Sequence, residues 1–166
     1  MTKTQLREEI EQLLRRHEFP KDFKFEDQGE YNLQSCVVDL LGAGVLKTNT
    51  DLKMLRSVKG EAGTAPKILL LGTDFWPDIA IHSVSTGEKM LALELKLVSA
   101  KKSRAPAISS VVGQCLINRT MYSETIGFVL AYDDGRETDS RDQDELLKTK
   151  LETNGIRLIV RNHKMT

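Results

Sequence analysis

The sequence predicts an α/β fold, a mixed central sheet flanked by helices, on three observations. Segments with apolar residues at helical spacing alternate with short apolar runs of strand length. The resulting order is α-α-β-β-β-α-β-α-β, and strands interleaved with helices build a layered α/β architecture. One strand pair is joined by a tight Gly-containing turn, which puts an antiparallel pair into a sheet whose later connections pass through helices. The 166 residues suffice for one core. With no internal repeat and no linker-like stretch, the chain reads as a single domain over 1–166.

Each element has its own signal. Leu6, Ile10, Leu13, Leu14 and His17 recur at helical spacing and predict an N-terminal helix over 4–17, ended by Phe19-Pro20. Leu33, Cys36, Val37, Leu40 and Leu41 form the stripe of a second helix over 30–41, closed by Gly42 and Gly44. Residues 45–66 are polar and Gly-containing, which predicts a variable exposed loop with one short strand near 54–58. Strands are expected at 68–71, 78–84 and 90–98. After the basic "KKSRAPA", helical spacing returns in Ile108, Val111, Val112, Cys115 and Leu116. "TIGFVLAY" is a buried strand, and the acidic run 133–145 is a loop entering a helix that ends at Asn154-Gly155. Residues 156–160 make the last strand.

Composition excludes several classes. The 24 basic and 24 acidic residues give zero formal net charge, so any attraction to a polyanion has to come from a local patch. No apolar run approaches the roughly 20 residues of a membrane span. "MTKTQLREEI" does not resemble a signal peptide, so a cytoplasmic location without a membrane partner is expected. Cys36 and Cys115 both fall among apolar residues at helical spacing and read as core fillers. The sequence contains no C-x-x-C, H-E-x-x-H, Gly-rich phosphate loop or G-x-S-x-G, which sets aside zinc ribbons, P-loop NTPases and serine hydrolases.

The informative stretch is "PDIAIHSVSTGEKMLALELKL", residues 77–97. Side chains alternate across a strand, so Leu91, Leu93, Leu95 and Leu97 share one face while Ala92, Glu94, Lys96 and Val98 share the other. In the preceding strand Ile79 and Ile81 oppose Asp78, Ala80 and His82 in the same way. A three-residue loop Ser85-Thr86-Gly87, closed by a left-handed glycine, pairs Val84 with Glu88, Ala80 with Ala92 and Asp78 with Glu94. A one-residue slip would reverse the faces. The register thus brings two carboxylates together beside Lys96, and like charges directly opposite destabilise a sheet unless a cation sits between them. A half-solvated strand pair is the plain alternative, but these strands carry almost no other polar group. Oxygen ligands of this kind suit Mg²⁺, with Mn²⁺ as a substitute. Such an ion acidifies water and neutralises charge developing on a phosphoryl centre, and a neighbouring lysine can orient water or contact phosphate.

With these residues placed, Pro77-Asp78 followed sixteen positions later by Glu94-Leu95-Lys96 resembles the signature of the PD-(D/E)XK nuclease superfamily. The resemblance covers roughly residues 30–160. It implies a restriction-endonuclease-like α-β-β-β-α-β core, here with an extra N-terminal helix. It also implies catalytic roles for Asp78, Glu94 and Lys96, and a metal held by Asp78, Glu94 and the Leu95 carbonyl. Gln114 stands where many members carry a glutamine near the active site, and Glu30, on the core-facing side of its helix, matches a helical glutamate that supports the metal. Lys101, Lys102 and Arg104 follow the catalytic strand and are candidates for DNA-backbone contact. His82 and Arg119 read as residues satisfied by neighbours, and Trp76 as a packed side chain. The resemblance therefore implies a Mg²⁺-dependent endonuclease acting on duplex or branched DNA, alone, as a homodimer or within a larger assembly. The alternative is a non-catalytic nucleic-acid-binding or scaffold module of the same fold.

Overall fold

The computed structural model describes residues 1–20, 29–57, 65–99, 103–133 and 141–164. Helix α1 (Lys3–Arg16) starts at a capping box in which the Thr2 hydroxyl accepts the Gln5 N–H and the Gln5 side chain takes the Thr2 N–H. Its last carbonyls are closed by Arg161, which donates to the Leu14 and His17 oxygens and lies over the Phe19 ring. Helix α2 (Gly29–Ala43) leads into the single turn α3 (Val45–Thr48). Strands β1 (Leu52–Arg56), β4 (Ile79–Ser83), β5 (Lys89–Val98), β6 (Thr125–Asp133) and β7 (Ile156–Lys164) form one sheet in the order β1-β4-β5-β6-β7. β1, β4 and β5 pair antiparallel, whereas β5, β6 and β7 run parallel across helices α4 (Ala105–Asn118) and α5 (Arg141–Thr153). The fold is an α/β layer structure with a mixed five-stranded sheet.

The sheet is covered on both faces. Leu6, Ile10 and Leu14 of α1, with Leu33, Val37 and Leu41 of α2, pack on Leu91, Leu93 and Leu95. Val111 and Cys115 of α4 and Leu151 of α5 pack on Val98, Val129, Ala131 and Leu158 from the other side. Gly127 matters to this second layer. A Cβ there would come within 2.3 Å of Val111 Cγ1 and 3.2 Å of Cys115 Sγ, so its absence lets α4 lie close on β6.

The middle of the chain is more ordered than expected. The short strand expected near 54–58 lies at Leu52–Arg56, as an edge strand of the main sheet paired along β4 from Leu52–Ser83 to Arg56–Ile79, and the single turn α3 precedes it. Conversely the apolar run at 68 is no part of that sheet. β2 (Ile68–Leu70) pairs only with β3 (Thr73–Phe75), in a separate two-stranded hairpin turned by Leu71 and Gly72, both at positive φ. The register of the β4–β5 hairpin is as expected in its inner half, with Ala80 facing Ala92 and Ile79 facing Leu93. Nearer the turn it slips by one, His82 facing Lys89, so Val84 does not oppose Glu88. The bulge sends Met90 into the same core as Leu91, and the loop closes with Gly87 at φ 70°, its N–H on the Ser83 carbonyl. Asp51 holds this loop from the edge strand, accepting the Ser83 hydroxyl and the Ser85 N–H at 2.8 Å each.

Candidate active site

The site forms where β4 begins and β5 runs on without it. Antiparallel pairing ends at Ile79–Leu93, which leaves the Leu95 N–H without a strand partner on that side. The Asp78 carboxylate takes the vacant place, accepting the Leu95 N–H at 2.7 Å. The backbone of Asp78 is fixed in turn: its carbonyl receives Gln34 Nε2 at 2.7 Å and the Ser57 N–H at 3.2 Å. Gln34 also donates to the Ser57 carbonyl at 2.8 Å, so one buried amide of α2 joins the end of β1 to the start of β4. Since N–H and C=O of a strand residue point the same way, the Leu95 carbonyl also faces this open notch.

Glu94 lies on the opposite face from the leucines, only 2% exposed. Asn118, at the end of α4 and equally buried, donates to it at 2.6 Å. Asp78 and Glu94 lie close enough for each carboxyl to act on the other. Burial pushes the Asp78 carboxyl up, partly offset by the Leu95 N–H and the nearby Lys96 charge. Burial pushes Glu94 well above the usual carboxylate range, and the Asp78 charge adds to that. Both shifts favour the protonated form, so the pair as a unit loses its protons at higher pH than separate carboxylates would.

Lys96 stands beside the pair but does not neutralise it by contact. Its Nζ lies 3.0 and 3.1 Å from the two carboxylate oxygens of Glu30, which stands in the first turn of α2. The structure thus gathers four of the residues expected from sequence, Asp78, Glu94, Lys96 and Glu30, and presents the Leu95 backbone to the same notch.

Other expected residues sit elsewhere. Gln114 is one turn before Asn118 on α4, and its side chain accepts the Ser110 hydroxyl at 3.4 Å instead of meeting the carboxylates. Arg104 donates to Asn162 on β7 at 2.7 Å, and Lys101 and Lys102 lie outside the described residues, as does most of the acidic run. His82 is satisfied by the Tyr122 hydroxyl at 2.9 Å, and Arg119 by the Tyr122 carbonyl, as expected. Trp76 is not packed: 46% of it is exposed. Asn118 and Gln34 escaped the sequence reading, although each is a polar residue standing on its helix's apolar stripe.

Among the described residues no three His, Cys, Asp or Glu side chains gather around one point. Two carboxylates and a backbone carbonyl are nevertheless a sufficient protein share for Mg²⁺, which keeps several waters and takes substrate oxygens. No described helix is long and apolar enough to cross a membrane. Compared with known proteins, the chain matches no family model, no curated protein and no solved structure.

Proposed function

We propose that the chain is a divalent-metal-dependent nuclease of the PD-(D/E)XK type, hydrolysing phosphodiester bonds in DNA. The observation that carries this reading is the pair of carboxyls at the start of β4, Glu94 buried and Asp78 half-buried, with Lys96 beside them in the Glu94-Leu95-Lys96 tripeptide. The element order is compatible with it: α2, β1, β4, β5, α4 and β6 occur in the order of a restriction-endonuclease-like α-β-β-β-α-β core, with α3 and the β2–β3 hairpin inserted and α1, α5 and β7 added outside.

Asp78, Glu94 and the Leu95 carbonyl would hold Mg²⁺ or Mn²⁺, which when bound acidifies the attacking water and neutralises charge on the phosphoryl oxygens. Asp78 is anchored by the Leu95 N–H and Glu94 by Asn118, so the two carboxylates are aimed before any ligand arrives. Glu30 holds the Lys96 amine at the mouth of the notch, where it orients water and contacts a phosphate oxygen. No side chain in the site is placed as a covalent nucleophile with a base of its own, so water is the attacking group.

Nicking of supercoiled plasmid in Mg²⁺, Mn²⁺ or EDTA tests the reading. Wild type should cut in either metal and not in EDTA, Asp78→Ala should fall to the assay floor, and Lys96→Ala should lose about 10²–10⁴-fold. Equal cutting by wild type and Asp78→Ala would assign the activity to a contaminant. Absence of cutting on plasmid, branched and single-stranded DNA would favour a binding or scaffold role for the fold.

A further inference from the structure

We infer that Trp76 is a stacking platform for an unpaired base of the substrate, which makes single-stranded or splayed nucleic acid the preferred class; this rests on the nuclease reading above. Trp76 is the only tryptophan of the chain, and nearly half of its surface is open although tryptophan is among the most buried residues on average. It stands two positions before Asp78, within roughly 7 Å of chain. Its mounting is rigid on both sides. Pro77 is buried and Asp78 is pinned by Gln34 and Leu95, while Phe75 pairs with Ile68 in the β2–β3 hairpin.

The hairpin that leads to it is also apolar at the surface. Leu69 is 67% exposed and Leu71 97%, and Leu71 is held at φ 50°, a backbone conformation that leucine rarely adopts. The hairpin's charged pair, Lys67 and Asp74, is closed on itself at 3.0 Å. Base stacking on an aromatic side chain adds affinity near the cut that does not depend on phosphate contacts. The exposed indole supplies that contact, and only a base that has left its stack can use it.

Because the chain has one tryptophan, its fluorescence reports this residue without labelling. In EDTA, wild type is titrated with oligo-dT, with a blunt duplex and with a splayed-arm duplex, and labelled-oligonucleotide anisotropy is followed in parallel. Saturable quenching by oligo-dT and by the splayed substrate, weaker with duplex, is expected. Trp76→Ala should weaken oligo-dT binding about tenfold or more, and Trp76→Phe should restore part of it. Binding without quenching, unchanged in Trp76→Ala, overturns the stacking role and leaves the nuclease reading intact. Equal quenching by blunt duplex overturns the substrate class. If no oligonucleotide binds, the proposal fails, and plasmid nicking run alongside decides whether the nuclease reading fails with it.

Discussion

Glu94 is worth more to the folded protein as an acid than as an anion. Its carboxyl and that of Asp78 both have folded-state pKa values above the ordinary range, chiefly through burial. The native state therefore keeps a proton that the unfolded chain gives up. The stability this contributes is complete below the ordinary carboxylate range and is lost as pH rises through the raised values. In EDTA, the melting temperature should thus fall as pH rises above about 4. Glu94→Gln should flatten that slope, because Gln still accepts from Asn118 and donates to Asp78 without a charge. At the alkaline end the variant should melt above wild type, while its metal-dependent activity is lost. A variant melting below wild type across the whole range would contradict this. Asp78, Glu94 and Lys96 were legible in sequence because the alternating leucines fix which face each residue takes; the turn did not fix the pairing, since a bulge after Ile81 lies between it and the Ala80–Ala92 pair. Asn118 and Gln34 were not, since their partners lie on other elements; the signal that existed was position, Asn118 in line with Val111 and Cys115, Gln34 with Val37 and Leu41.

Elements set the site by how closely they approach each other. Gly127 lets α4 settle on β6, and the same helix delivers Asn118 to Glu94. Gly127→Ala should destabilise the protein by about 1–3 kcal/mol through overpacking against Val111. It should also weaken Mn²⁺ binding although no ligand is altered, as read by calorimetry; unchanged binding would mean that α4 does not position Glu94. On the opposite layer Gln34→Ala should cost about 1–3 kcal/mol, because the Asp78 and Ser57 carbonyls lose their shared donor. A denaturant midpoint equal to wild type would contradict that. Helices α1, α2 and α4 and the inner strands followed from their apolar periods, and α5 from its Asn154-Gly155 end. β1 was legible only as a short strand near 54–58 within an expected loop, because as an edge strand it buries little beyond Leu52 and its stability comes from backbone pairing with β4. The apolar run at 68 misled for the opposite reason: Ile68 is buried, but Leu69 and Leu71 point apolar surface at solvent in a hairpin outside the sheet.

For the molecule as a whole, the sheet's unequal strands create the reactive place. β5 continues past the start of β4, and the notch left there holds Asp78, Glu94, the Leu95 carbonyl and the Lys96–Glu30 pair, with α2 on one layer and α4 on the other. The central claim is that the buried carboxyl pair is a divalent-cation site, and calorimetric titration of Mn²⁺ into wild type and Asp78→Ala tests it most directly. One saturable site is predicted in wild type, with a proton released from the pair and seen as a heat that varies with buffer ionisation enthalpy, and no such site in Asp78→Ala. Absent binding in wild type, or the same binding in both proteins, would contradict the account.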